Sequence, residues 1–249
     1  MKKLLGALAV LLVLGVVADF GAAAYAEYRV SRQLRSALSL SSDPDVRIGG
    51  VPFLTQAVAG DYRSVKVKAD GVAVPDLGKV TLAATLHGVR LPASQVISGD
   101  VHHVTADSVD ASVRISATTL GQYLNVPDLT VSEPPDAKSG GGPRTSITMT
   151  GTVDVLGLKQ RLSVDATLSV VPGGAKVTAT RLDLGANGGT GSFGESLLGG
   201  LLSRLSVTID ASAIPFGIVP SRVSADDTDI VVSGTGSNVT IIDTPTSGR

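Results

Sequence analysis

At 249 residues and 25.2 kDa the chain holds one large domain or two small ones around a sizeable core. Hydrophobic residues make up 43% against 17% charged, and mean hydropathy is +0.31, which excludes wholesale disorder. A formal net charge of −1 gives no basic field to recruit nucleic acid, and the lack of cysteine removes disulfides, thiolate metal sites, a cysteine nucleophile and a lipoprotein anchor.

Lys2 and Lys3 precede an unbroken apolar run from Leu4 to Val17, the build of an export signal. With Asp19 as its one interruption the low-polarity stretch continues to Ala26, and a span needs about 20 residues. Ala24-Tyr25-Ala26 offers a small-x-small cleavage site. Residues 1–26 are therefore read as a signal peptide or an N-terminal anchor, with a buried core helix as the competing reading. Either export reading places residues 27–249 outside the cytoplasm, in the cell envelope or periplasmic space. They are held there by residues 4–26 or released after cleavage.

From Ala22 to Leu40 the pattern is helical: Val30, Leu34, Ala37 and Leu38 form an apolar stripe, and Arg29, Arg32 and Arg35 a basic one. Ser41-Ser42-Asp43-Pro44 ends the helix. Period two then takes over. Val65, Val67 and Ala69 alternate with Lys66, Lys68 and Asp70; Val80 to Leu86, Val109 to Ile115, Ile147 to Val155 and Leu162 to Val170 repeat the device. Valine dominates these runs, and aromatics are only 3% of the chain, which favours strands over helices. Their hairpin spacing predicts a largely antiparallel, mainly β fold with a few helices. One helix is expected at Thr118 to Leu124. Another, Glu195 to Leu205, carries Leu197, Leu198, Leu201, Leu202 and Leu205 on one face. The tail reads as strands at Val207 to Ile209, Ile230 to Val232 and Val239 to Ile242. Residues 132–144, rich in Pro, Gly and Ser, read as a flexible loop inside a single domain.

No pattern in the chain points to a catalyst. Gly189-Thr190-Gly191-Ser192-Phe193-Gly194 satisfies the dinucleotide spacing. However, it does not directly follow a strand and lies among antiparallel hairpins, so it reads as a loop. His102 and His103 point to opposite faces of a strand and cannot share a metal, and Asp226-Asp227-x-Asp229 lacks the rest of a calcium loop, which leaves a tight acidic hairpin. No serine-hydrolase motif is present. A glycolipid hydrolase working through carboxylates would need two acids about 5–10 Å apart in a cleft. The reading is of a protein that is not an enzyme and needs neither cofactor nor metal.

Two apolar, proline-bracketed segments are left: Val51-Pro52-Phe53-Leu54-Thr55-Gln56-Ala57-Val58-Ala59-Gly60 and Ile214-Pro215-Phe216-Gly217-Ile218-Val219-Pro220. Prolines beside Phe keep these backbones out of a central ladder, so the segments cap or line something. The first of them, preceded by Val46-Arg47-Ile48-Gly49-Gly50, and the second, followed by strands through Ile230-Val231-Val232 and Val239-Thr240-Ile241, resemble the LmeA family of actinobacterial cell-envelope phospholipid-binding proteins. Val51 departs from the bulkier residue that the resemblance implies there.

That resemblance covers roughly Ala22 to Ile242. It implies a long curved antiparallel sheet rolled around a helix, like tubular lipid-binding (BPI-like) domains, with an apolar groove for acyl chains. Phe53, Leu54, Val58, Leu197, Leu198, Leu201, Phe216 and Ile218 are the expected lipid-binding residues. Arg29, Arg32, Arg35 and Arg47 are the expected head-group residues, since a phosphate wants donors at the mouth of such a groove. The expected partners are phospholipid and a membrane surface, for a monomer acting as carrier or sensor. The alternative is an envelope scaffold or adhesion module with a closed core and no ligand.

Overall fold

Residues 2–37, 39–74, 78–92, 94–95, 103–134, 141–155, 158–172, 174–183, 199–200, 202–203, 205–210, 218–226 and 228–243 are described by the structure, a computed structural model. In chain order the principal elements are α1 (Lys2–Ala37), β1 (Asp45–Gly49), α2 (Phe53–Ala59), β2 (Asp61–Val74), β3 (Gly78–Arg90), β4 (His103–Ser116) and α3 (Ala117–Leu124). There follow β5 (Thr130–Ser132), β6 (Arg144–Val155), β7 (Leu158–Val171), β8 (Gly174–Asp183), β9 (Val207–Asp210), β10 (Pro220–Asp226) and β11 (Asp229–Asp243). The fold is mainly β, in two antiparallel sheets ordered β1-β2-β3-β4-β11-β10 and β5-β6-β7-β8-β9. The chain divides into two compact units, the first made of Met1–Ala69, Ala83–Val109 and Gly236–Arg249, the second of Asp70–Leu82 and Asp110–Thr235.

In the second unit the expected alternation becomes burial. Leu162, Val164, Ala166 and Leu168 of β7 are all buried and pair with Gly151, Met149, Ile147 and Thr145 of β6. On the other side of β7 the register shifts between Asp165 and Ala166, leaving Thr180 as an extra residue on β8. That bulge lets the inward face of β8 pass from Ala175, Val177 and Ala179 to Leu182 without exposing it. α3 starts where expected: the Ser116 hydroxyl accepts the Thr119 amide, and Leu120 is fully buried.

After α3 the Asp128 carboxylate accepts the Thr152 amide at 2.8 Å and the Thr152 hydroxyl at 2.6 Å. The hydroxyl first, and the amide second, hold this carboxyl below its ordinary value of 3.8. Its contribution to stability is therefore present above that value and disappears as pH falls through the lower, folded-state value. Asp128→Ala is expected to melt below the parent at pH 7, with the gap closing once the pH drops below 3.8, as followed by thermal melts across pH. A gap that persists at the acid end would assign the effect to packing instead.

The acidic stretch Asp226 to Asp229 is the β10–β11 hairpin turn, as read from the sequence. Arg114 of β4 closes it, with Nη2 at 2.6 Å from Asp226 and Nη1 at 3.4 Å from Asp229. The hydrogen bond to Asp226 is the largest cause of a guanidinium pKa raised above its usual value. Of the expected loop 132–144, residues 135–140 lie outside the described residues, while Gly142 pairs with Val223 of β10. The tail differs from expectation, since residues 230–232 and 239–242 belong to one continuous strand, β11. Within that strand Gly234 marks close approach: a Cβ there would meet the Val219 carbonyl and the Ile218 side chain. The segment 189–194, His102 and most of the expected helix at 195–205 lie outside the described residues.

Candidate functional site

The first unit is organised by α1, one helix of 36 residues that changes character at Asp19. Residues 2–18 are exposed along their whole length. From Asp19 a seam of buried and half-buried positions follows the helical period: Asp19, Ala22, Ala23, Ala26, Glu27, Val30, Ser31 and Leu34. The polar members of this seam are bonded to backbone. Glu27 Oε1 accepts the Ile48 amide at 2.7 Å, and Ser31 Oγ donates to the Pro44 carbonyl at 2.6 Å. β1 is the edge of its sheet, so these contacts fill part of an otherwise open ladder. Cross-strand pairs Val46↔Val67 and Ile48↔Val65 put apolar side chains on a shared face, and all but Val46 stay half-buried.

The segment Pro52 to Gly60 is a short helix, α2, where the sequence suggested only a cap or lining. Pro52 precedes it without a side-chain cap, and Gly60 closes it in the left-handed conformation at φ 69°. The missing cap comes from α1: the Asp19 carboxylate accepts the amides of Phe53 at 2.9 Å and Leu54 at 2.7 Å. An anionic side chain at a helix N-terminus satisfies orphan amides and complements the helix dipole. Asp19 is 7% exposed, so little water competes for those bonds. Gln56, also buried, donates to the carbonyls of Gly50 and Pro52 and accepts the Arg63 amide. Gly50, at φ 99°, leaves room for that amide, since a Cβ there would come within 2.9 Å of it.

α2 therefore has two faces. Phe53 is buried, its ring centroid 6.1 Å from that of Tyr62, whose burial pushes its phenol pKa up. Leu54 (42% exposed) and Val58 (89%) lie on the open side, and Val51, just before the helix, is 62% exposed. At the C-terminal end of α2 a cleft of about 780 Å³ is lined by Val58, Gly60, Asp61, Arg90, Leu91 and Gln95, among others. A volume of this size lies within the usual range for a small-molecule site. Arg90 pairs with Asp107 at 2.7 Å across the β3–β4 side of the cleft, and both partners are more than half exposed. Asp61 is the one carboxylate lining the cleft among the described residues.

The residues expected at the site are thus distributed. Phe53, Leu54 and Val58 share α2, with Phe53 turned inward and the other two outward. Arg29, Arg32 and Arg35 lie on the exposed side of α1, about 15–24 Å along the axis from Asp19 at 1.5 Å per residue. Arg32 stacks on Tyr28, 5.7 Å from its ring centroid, while Arg35 pairs with Asp43 and Arg47 with Asp45, in exposed ion pairs. Arg29 has no ion-pair or hydrogen-bond partner among the described residues. Ile218 is buried beside Gly234 in the second unit. Leu197, Leu198, Leu201 and Phe216 lie outside the described residues. Arg90 and Asp19 were not found by sequence reasoning.

The model of the LmeA-like phospholipid-binding family matches residues 17–235. The chain belongs to this family. The match takes in the α1 seam, α2, the cleft and most of both sheets, and it begins two residues before Asp19. No curated protein and no solved structure matches the chain. Membership of the LmeA-like family supports lipid binding in general, and the N-terminal apolar helix suits a signal sequence or an anchor.

Proposed function

We propose that the chain binds phospholipid without performing chemistry on it, as a carrier or sensor in the cell envelope. Residues 27–249, with the turns of α1 that pack on them, work as one lipid-binding domain. The observation that carries this reading is the outward face of α2, where Leu54 and Val58 stand exposed next to a cleft that also holds a guanidinium, in a member of a phospholipid-binding family. An acyl chain needs only apolar wall, each buried CH₂ contributing about 0.8 kcal/mol. A phosphate needs donors, and exposed, weakly held pairs such as Arg90–Asp107 and Arg35–Asp43 surrender them at low cost. Leu197, Leu198, Leu201, Phe216 and Ile218 are further lipid-binding residues in this proposal, and Arg29, Arg32, Arg35 and Arg47 the head-group residues.

The second reading is the closed scaffold. The second unit favours it, since Ile115, Leu120, Ile147, Met149 and Leu168 are fully buried, as in an ordinary dry core. Native mass spectrometry of residues 17–249, purified without detergent, separates the two. Adducts of near-integral stoichiometry, extracting as phospholipid, are expected for a carrier or sensor. A clean apo mass with no uptake from added vesicles would favour the scaffold.

A further inference from the structure

We propose that residues 1–26 stay on the folded protein, that residues 2–18 span the membrane, and that the open face of α2, Leu54 and Val58, with Val51 just before the helix, rests on the bilayer surface from which α1 emerges. This does not depend on the lipid-carrying reading. It rests on where α1 stops being exposed. The seventeen residues 2–18 are all exposed, include Lys2 and Lys3 at the far end, and lie in the helix whose mean hydropathy reaches 2.4. At 1.5 Å per residue they extend about 25 Å, close to the roughly 30 Å of a hydrocarbon core, and the two lysines reach the head groups by snorkelling.

Cleavage after Ala26 would remove more than a targeting signal. It would take away the Asp19 carboxylate that caps α2 and the buried Ala26. The first turn of α2 would then keep two amides without their acceptor. The family match likewise starts at residue 17, inside the segment that cleavage would discard. The packed part of α1 thus begins at Asp19, seven residues before the small-x-small site ends.

The same two hydrogen bonds fix depth. Asp19 is the first residue past the exposed apolar run, and its oxygens lie 2.7–2.9 Å from the amides of Leu54 and Phe53. α2 is therefore held at the level where α1 leaves the hydrocarbon. Phe20 and Tyr25, both exposed, lie within the first two turns beyond that level, where aromatic side chains favour the membrane interface. Leu54 and Val58, one helical turn apart, complete an apolar surface that a head-group and acyl boundary covers and water does not.

The test uses the full chain, which has no cysteine, so a single introduced thiol labels one site. Intact mass of protein extracted from the membranes of an exporting bacterium is expected to include residues 1–26. A chain starting at residue 27 overturns the proposal. Val58→Cys and Leu54→Cys, each carrying an environment-sensitive fluorophore, are then reconstituted in phosphatidylcholine–phosphatidylglycerol vesicles. Both are expected to show blue-shifted emission and quenching by lipids spin-labelled near the head group. Ser42→Cys, in the turn after α1 and next to Asp43, which pairs with Arg35 about 24 Å along the axis from Asp19, is expected to keep the emission of a label in water. Water-like emission at both α2 sites in a chain that retains residues 1–26 overturns the docking. Neither readout depends on whether phospholipid co-purifies, so failure here and failure of lipid uptake are separately visible.

Discussion

Replacing Asp19 by alanine is expected to cost α2 about 2–3 kcal/mol of local stability while the sheets stay folded. Loss of an N-cap ordinarily costs about 0.5–2 kcal/mol, and a hydrogen bond to a charged group is worth about 1.5–3 kcal/mol. Here one carboxylate serves two amides, Phe53 and Leu54, in a site that is 7% exposed. The figure stays below the sum of both bonds because alanine also spares the protein the burial of a charge. Hydrogen exchange reads the effect directly: the amides of Phe53 and Leu54 are expected to exchange about 30- to 150-fold faster, the equivalent of 2–3 kcal/mol of opening free energy. Asp19→Asn keeps one acceptor oxygen and is expected to fall between. Unchanged protection at Phe53 and Leu54 would mean that Gln56 and the Phe53–Tyr62 contact hold α2 by themselves, and would remove the structural reason to retain residues 19–26.

Asp19 also shows what the sequence could and could not convey. In an apolar run it reads as an interruption, because its partners lie 34 and 35 residues away and nothing local records them. Strands β6 and β7 were legible because burial on one face writes itself into alternate residues, as from Leu162 to Leu168. α2 was not, since seven residues between Pro52 and Gly60 are too few to establish a helical period, and its N-terminal signal sits on another helix. The residues that carry the family resemblance in this segment also build its local structure. Gly50, Pro52, Phe53, Gln56 and Gly60 each have a definite part in building the α2 knuckle. Arg90 escaped notice because a lone arginine near a strand end carries no pattern, and Asp107, which fixes it, is on the adjacent strand. The tail was split into strands at 230–232 and 239–242 where one strand runs through, because the glycines and serines between them break the alternation that burial writes elsewhere.

The largest contrast expected within one short element is between Phe53 and Val58. Phe53→Ala is expected to destabilise the protein by about 3–4 kcal/mol, the usual cost of truncating a buried aromatic ring, because the ring is 6% exposed and lies against Tyr62. Val58→Asp changes a side chain that is 89% exposed and is expected to stay within about 0.5 kcal/mol of the parent in denaturant titrations. On function the order reverses. A carboxylate at Val58 adds charge to the apolar rim of the cleft and is expected to abolish or sharply reduce uptake of phospholipid from vesicles by a protein that is otherwise folded. Any lipid lost with Phe53→Ala should instead follow the loss of fold, and return when the protein is measured well below its lowered melting temperature. Two outcomes would redraw the site. Full uptake by Val58→Asp would move the lipid away from α2. A Phe53→Ala protein as stable as the parent but unable to take up lipid would make Phe53 part of the groove wall, with its contact to Tyr62 incidental to folding.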